Sequence, residues 1–549
     1  MDWADWFSWF DAGDSDLARQ VLQRGIAALF LLAFLSSLNQ FRALLGERGL
    51  LPVPELLDAV HRAEAATAER ATSDRVPLLR RTRSRGYLGP TLFRWGYTDR
   101  RLVAVCVAGM VVAASVVLGL PQLGPQWVPM LVFLTMWGLY LSIVSVGQTF
   151  YGFGWEMLLC EAGFLMAFLG SDAAPPPLPI IVLTWWLVFR LEFGAGMIKL
   201  RGDAAWRDLT ALYYHHETQP MPGPFSRQAH LLPKWFHRLE VVGNHVAQLV
   251  VPFLLFAPQP VRTIAAAVVI GTQLWLVVTG NFAWLNWITI VLAFSAVGDS
   301  VVLQLLPFLP ADALGASAGA VGPDVANPWW WIAIVLVVTA LILWLSRRPL
   351  MNLFSKRQLM NTSFDRWQLV NAYGAFGSVT RQRVEIVVEG SLAEDPGDDD
   401  AAFDPQDPDD AEAAANAGWR EYEFKGKPGD VRRVSRQFAP YHLRLDWLMW
   451  FLPLGRIGEP WFYRFLEHLL RADAATLRLL RIDPFGGEPP RWVRARSYLY
   501  RYATHAEFRA TGRRWMRHPL AVVIPPLRLR EAPPRDGGAG GGGAGGAEG

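Results

Sequence analysis

The apolar run LVFRLEFGAGMIKL, residues 187–200, contains three ionisable side chains, Arg190, Glu192 and Lys199, and the spacing of the last two places them on one helix face together with Gly196. An ionisable group inside a bilayer is costly, so it marks a functional site and requires a partner. At about 1.5 Å rise per residue, Glu192 and Lys199 stand about 10 Å apart along the axis, and neighbouring helices must help to pair them. Glu161 and His245, in other apolar runs, are the candidate partners. Arg190 also needs neutralisation from another helix, and Gly194 and Gly196 allow such a helix to approach closely. A lysine can lose its proton when desolvated, whereas a guanidinium keeps it, so Lys199 is the candidate catalytic base, with Glu192, His215, His216 and His245 assisting. The plainer reading is a lysine at a span end that extends to the interface.

Residues 201–245 follow directly and hold five of the ten histidines: His215, His216, His230, His237 and His245. With the tandem Tyr213 and Tyr214, Glu217, and the prolines Pro220, Pro222 and Pro224, this segment reads as a rigid lid against the membrane surface. Tyr213, Tyr214, His215, His216, Glu217, His230 and His237 are its expected client-facing side chains. The histidine spacing matches no HExxH pattern, so neither a metal nor a cofactor is expected, although a histidine there can transfer protons. No nucleophile elbow, phosphate-binding loop or dinucleotide fingerprint supports a hydrolase or a nucleotide-driven enzyme.

Composition says what positions these residues. Hydrophobic residues make up 52% of the 549, charged residues 18%, and tryptophans number 25, which is too apolar for a water-soluble chain of this length. The net charge of +3 is spread through loops and leaves little footprint for a nucleic acid. Apolar stretches at 24–45, 101–120, 127–150, 154–171, 178–200, 244–258, 261–280, 284–308 and 329–346 predict a polytopic helical bundle of about nine spans. Eight remain possible, because 244–258 is short and carries Asn244, His245 and Gln248. Residues 1–23 are acidic and aromatic, unlike a cleavable leader, so the first span is expected to stay in the membrane. Cys106 and Cys160 lie inside apolar runs and read as buried thiols.

The loop from Gly46 to Arg101 carries 11 arginines against seven acidic residues, and Arg347, Arg348, Lys356 and Arg357 follow the last span. Both segments are expected to face the cytoplasm, leaving the N-terminus outside. Of the 52 basic residues only Lys199, Lys234, Lys356, Lys425 and Lys427 are lysines, a bias associated with GC-rich bacterial genomes. Residues 349–530 read as a small α+β or β-rich soluble domain, with strands at 384–390, 419–425 and 496–503 and an amphipathic helix at 459–470. Residues 391–418 hold ten acidic residues and no basic one, and are expected to be disordered, as is the glycine-rich tail 531–549.

GMIKLRGD, TALYYHHETQPMPGPFS and WFHRLEVVGNH, between Gly196 and His245, resemble the lipase maturation factor family. So do NAYGAFGSV, WREYEFKGKPGD, APYHLRLDWLMWF and RSYLYRYAT in the C-terminal part, in the same order. The resemblance implies a membrane protein, resident in the endoplasmic reticulum of eukaryotes, that assists folding and assembly of secreted lipases without an established enzymatic activity. It implies further that the soluble domain engages clients, with Trp419, Tyr422, Phe424, Tyr441, His442, Asp446 and Trp447 as its motif residues. In a bacterium the corresponding location is the plasma membrane, with membrane lipid and exported proteins as partners. Family topology places the C-terminal domain outside, opposite to the charge reading. A shorter segment, AGMIKL followed by Asp203, Trp206 and Leu209, is similar to vitamin K-dependent gamma-carboxylases. In that family a lysine of the motif deprotonates a reduced quinone, and Lys199 is the matching position.

Overall fold

A chain that must satisfy its backbone polar groups away from water folds its apolar runs as helices. The computed structural model describes residues 3–73, 88–305, 326–396, 404, 406 and 418–530. Numbered in chain order, the bundle helices are α1 (Asp16–Leu45), α2 (Asp99–Val117), α3 (Trp127–Val146), α4 (Gly154–Met166), α5 (Leu178–Arg201), α6 (Lys234–Leu249), α7 (Val261–Thr279), α8 (Leu285–Ala293) and α9 (Trp329–Phe354). Six of them, α1, α2, α3, α5, α7 and α9, are long and apolar enough to cross a membrane. Leu285–Ala296 and Asp299–Leu305 meet at 99° and add a seventh if they count as one span.

Among the described residues, six such helices, or seven, stand against the nine or eight spans expected. The run at 154–171 forms only the 13 residues of α4, all of them buried. Gly170, in the left-handed region at φ 77°, turns the chain beyond it. The run at 244–258 divides between the end of α6 and the single turn Val251–Leu254, where Pro252 supplies no amide hydrogen to continue the ladder. The first helix starts at Asp16 rather than at 24. The loop after α1 and the residues after α9 share one end of the bundle: Arg366 donates to the Leu88 carbonyl at 3.0 Å, and Arg464 pairs with Glu55 at 2.8 Å. The chain start lies at the other end, where Arg19 donates to the carbonyls of Ser171 and Ala174 at 2.5 and 2.6 Å.

The C-terminal part is α+β, with an antiparallel sheet of β1 (Arg383–Ser391), β2 (Trp419–Glu421), β3 (Trp492–Tyr502) and β4 (Trp515–Leu527) in the order β2-β1-β3-β4. Ile386 pairs with Ser497, and Tyr498 with Pro519. The amphipathic helix forms at Pro460–Leu470 and buries Trp461, Phe462, Phe465, Leu466 and Leu469. The expected strand at 419–425 is shorter, and β4, interrupted by Pro519, Pro525 and Pro526, was not foreseen; an edge strand tolerates such residues. Most of 391–418 and all of 531–549 lie outside the described residues. Within the acidic run, however, Asp404 is buried and ion-paired with Arg517.

The two parts are joined by charge rather than by apolar contact alone. Glu156 and Glu161, both on the fully buried α4, have no water to ionise into. Glu156 is met by the Arg444 guanidinium at 2.6 Å, and the Tyr140 hydroxyl donates to it as well. Arg444 also donates to the Phe150 carbonyl at 2.9 Å, while its backbone amide donates to Gln40 of α1 at 3.0 Å. Glu161 pairs with Arg190 and accepts the Tyr373 hydroxyl at 2.6 Å and the Asn371 amide at 3.0 Å. Removing one partner of a buried pair strands a charge, at a cost of about 3–5 kcal/mol. Arg444→Met should therefore lower the thermal midpoint of the detergent-solubilised chain sharply, and adding Glu156→Gln should recover much of the loss. An unchanged midpoint in Arg444→Met would refute the tie.

Candidate functional site

Glu192 and Lys199 lie buried on one face of α5, and the gap between them is closed by amides from two other helices. Lys199 Nζ donates to Asn244 Oδ1 at 3.0 Å and to Gln248 Oε1 at 2.8 Å, with the Trp206 ring centroid 4.8 Å away. The other end of Gln248 donates to Glu192 at 3.1 Å, and Gln273 of α7 donates at 2.7 Å. Gly196 permits this approach, since a Cβ there would stand 2.7 Å from Leu249. Neither expected partner is used. Glu161 serves Arg190, and His245 Nε2 contacts the Trp206 carbonyl at 3.1 Å. Asn244 and Gln248, which weakened 244–258 as a membrane span, are the residues that hold the charges.

The histidine segment is not a surface lid. His215, His216 and His237 are buried, and Tyr213, Tyr214, Glu217 and His230 are half-buried, because the segment is clamped between the bundle and the sheet. Arg383 of β1 donates to the Glu217 carbonyl at 2.8 Å and to the Pro220 carbonyl at 3.1 Å. Trp450 donates to the Thr218 carbonyl at 2.8 Å, and the Tyr502 amide donates to the Glu217 carboxylate at 2.7 Å. Burial, with charge on His216 and Lys199 adding to it, drives His215 down to about 3. Burial likewise brings His230 down to about 4. For Glu240 burial opposes ionisation, but hydrogen bonds from His216, His237 and Trp275 outweigh it and hold the carboxyl at about 2. Glu240 was missed in the sequence. It closes a group with His216 and His237 whose ligating atoms lie within 4.8 Å of one another, so metal chemistry returns as a possibility that histidine spacing alone had set aside. The His237-x-x-Glu240 step, one helical turn, was the available signal.

A cavity of about 560 Å³ opens at the seam between bundle and C-terminal domain. Phe153, Trp155, Phe376, Trp447, Trp450 and Phe451 line it, beside Leu191 and Ala195 of α5. Trp447 is thus the one C-terminal motif residue that faces this space; Trp419, Tyr422, Phe424, His442 and Asp446 are core. His442 stands in a box of Phe153, Trp155, Trp284 and Trp447 rings. Asp446 accepts from the Gly426 and Lys427 amides, and the Tyr441 hydroxyl accepts from Gln40 at 3.3 Å.

A helical membrane bundle with an antiparallel sheet locked to one end defines an integral membrane protein carrying an extramembrane α+β domain. Residues 17–304 match the family model described as the lipase maturation factor transmembrane domain, and residues 369–525 match that of the lipase maturation factor C-terminal domain. Lipase maturation factor 1 of Bos taurus is 36% identical, over 95% of this chain and 90% of its own. The Homo sapiens protein of the same name is 35% identical over 94% and 89%, and lipase maturation factor 2 of Gallus gallus 29% over 91% and 79%. No solved structure matches. The chain belongs to the lipase maturation factor family.

The aromatic box sets a pH dependence. Burial pushes His442 down to about 4, against about 6.5 for an unfolded imidazole. Between those values the unfolded chain binds a proton that the folded chain refuses, so stability falls as pH drops from 6.5 toward 4, by at most about 1.4 kcal/mol per pH unit from this group. His442→Phe should reduce the acid-side slope of the thermal midpoint; an unaltered slope would contradict the buried neutral imidazole.

Proposed function

We propose that this chain is a membrane-anchored maturation factor that assists folding or assembly of exported proteins, lipases in particular, at the plasma membrane of a bacterium. The observation that carries this reading is the relationship to lipase maturation factors along nearly the whole chain, bundle and C-terminal domain together. The geometry supplies a place for a client. The aromatic cavity at the seam is large enough for an apolar segment, and its walls come from both parts, which Arg444 and Glu156 help to hold together. Leu454, exposed and with its amide donating to the Phe451 carbonyl at 3.0 Å, adds apolar contact area beside that cavity.

The role of the cavity is tested by filling it. Ala195→Trp should lower the yield of active secreted lipase several-fold when the chain is co-expressed with a client, while membrane insertion and protease resistance stay at wild-type levels. Full lipase yield from a correctly inserted Ala195→Trp chain would remove the cavity from the mechanism. A separate comparison concerns Lys199. Lys199→Arg retains a cation that the Asn244 and Gln248 oxygens can accept, and client yield should stay within about twofold. A collapse of yield in a stable Lys199→Arg chain would instead favour a reaction that uses the lysine as a base.

A further inference from the structure

His216 belongs to the short helix Leu212–Thr218, while His237 and Glu240 share one face of α6. His216 Nε2 lies 3.3 Å from Glu240 Oε1, and His237 Nδ1 lies 3.3 Å from Glu240 Oε2. Charge-assisted N–H···O bonds run at about 2.7–2.9 Å, so both separations are long for a direct hydrogen bond. They match the edge of a tetrahedron of ligands around zinc, about 3.3–3.5 Å for metal–ligand bonds of about 2.0–2.1 Å.

The surroundings of two of the three ligands, His237 and Glu240, point the same way. His237 Nε2 stands 3.2 Å from the His230 carbonyl, which can only accept, so Nε2 carries the hydrogen. In the neutral imidazole that leaves a lone pair on Nδ1 facing the Glu240 carboxylate, and a cation joins the two acceptors: a proton, which makes the hydrogen bond described above, or a metal ion. An imidazole whose second nitrogen donates to a carbonyl is the usual support of a metal-ligating histidine. Trp275 of α7 supports the carboxylate in the same manner, donating to Glu240 Oε1 at 2.6 Å. His216 Nδ1 is buried without a hydrogen-bond partner, which leaves that ring held only through its Nε2 side.

We propose that His216, His237 and Glu240 bind a divalent transition metal of the zinc class, with water as fourth ligand. The metal clamps the histidine segment to α6, and through Trp275 to α7. On the opposite face of α6, Trp235, Leu239, Val242 and Val246 are exposed, so the helix is held from its His237 and Glu240 side. The two histidine side chains are each only 2% exposed, so the site is enclosed by protein even though three protein ligands and a water leave one coordination position without a side chain.

The test uses the full chain purified in detergent. Elemental analysis after dialysis should find about one zinc per chain, and the metal-stripped chain should take up cobalt(II) with the visible absorption of a tetrahedral ion. Zinc should raise the thermal midpoint of the stripped chain. His216→Gln and Glu240→Gln should lose the cobalt spectrum, whereas Trp275→Phe, which keeps all three ligands, should weaken affinity about 10–100-fold. A stripped wild-type chain that shows no tetrahedral cobalt spectrum and no zinc-dependent midpoint overturns the proposal, and needs no variant to fold. Full metal content in a folded Glu240→Gln chain overturns it equally.

Discussion

Two carboxylates inside a helix with no exposed residue are the constraint from which the architecture follows. α4 buries all 13 of its side chains, Glu156 and Glu161 among them. A buried carboxylate without a countercharge costs more than any single apolar contact on the helix can return. Each therefore needs an arginine and further donors, and the two sets differ in origin. Glu161 takes Arg190 from the bundle and Asn371 and Tyr373 from the chain after the last membrane helix. Glu156 takes Arg444 from the C-terminal domain. The bundle is thus incomplete electrostatically without the C-terminal part. The domain that composition marks as water-soluble supplies the countercharge of a buried bundle helix.

That interlock explains why the stretch 215–223 is enclosed. With the sheet held over one end of the bundle, the segment has nowhere to lie except between them. The sheet then satisfies its backbone: Arg383 and Trp450 donate to the carbonyls of residues 217, 218 and 220, and Arg227, just beyond it, donates to the Ala503 carbonyl at 2.9 Å. A loop sealed from water must find such partners. Here they come from long side chains of the sheet and of the helix beside it. The seam that remains is lined mainly by aromatic side chains of both parts, Phe153 and Trp155 from the bundle side and Trp447, Trp450 and Phe451 from the C-terminal domain.

The sequence made the apolar runs and the amphipathic helix at Pro460–Leu470 legible, since each is a local pattern of period or composition. It revealed Glu192 and Lys199 as a stripe because both sit on one helix. What it could not reveal are pairings across hundreds of residues. Arg444 and Glu156 are 288 positions apart, and nothing local to either announces the other. Counting spans failed for the same reason. The run at 154–171 read as an ordinary span and 244–258 as a short, weak one, yet α4 is sheathed by protein, and the amides in α6 are ligands of neighbouring charges rather than flaws in an apolar run. β4 was hidden by three prolines that an edge strand accommodates, and Glu240 by the attention that five histidines drew away from it.

The surroundings of Lys199 bear on what that residue does. An ammonium has three N–H bonds to place. Three partners converge on Nζ: the Asn244 oxygen, the Gln248 oxygen and the face of Trp206. Two of them are acceptors that a neutral amine would use poorly, and the third attracts a cation through its ring quadrupole. Gln248 completes the arrangement by giving its oxygen to the lysine and its amino group to Glu192, so one neutral side chain links opposite charges that the helix geometry keeps about 10 Å apart. A base awaiting a substrate needs at least one open approach to its nitrogen. This one is filled by protein on every side that the partners occupy, which is what a lysine fixing α5 against α6 requires.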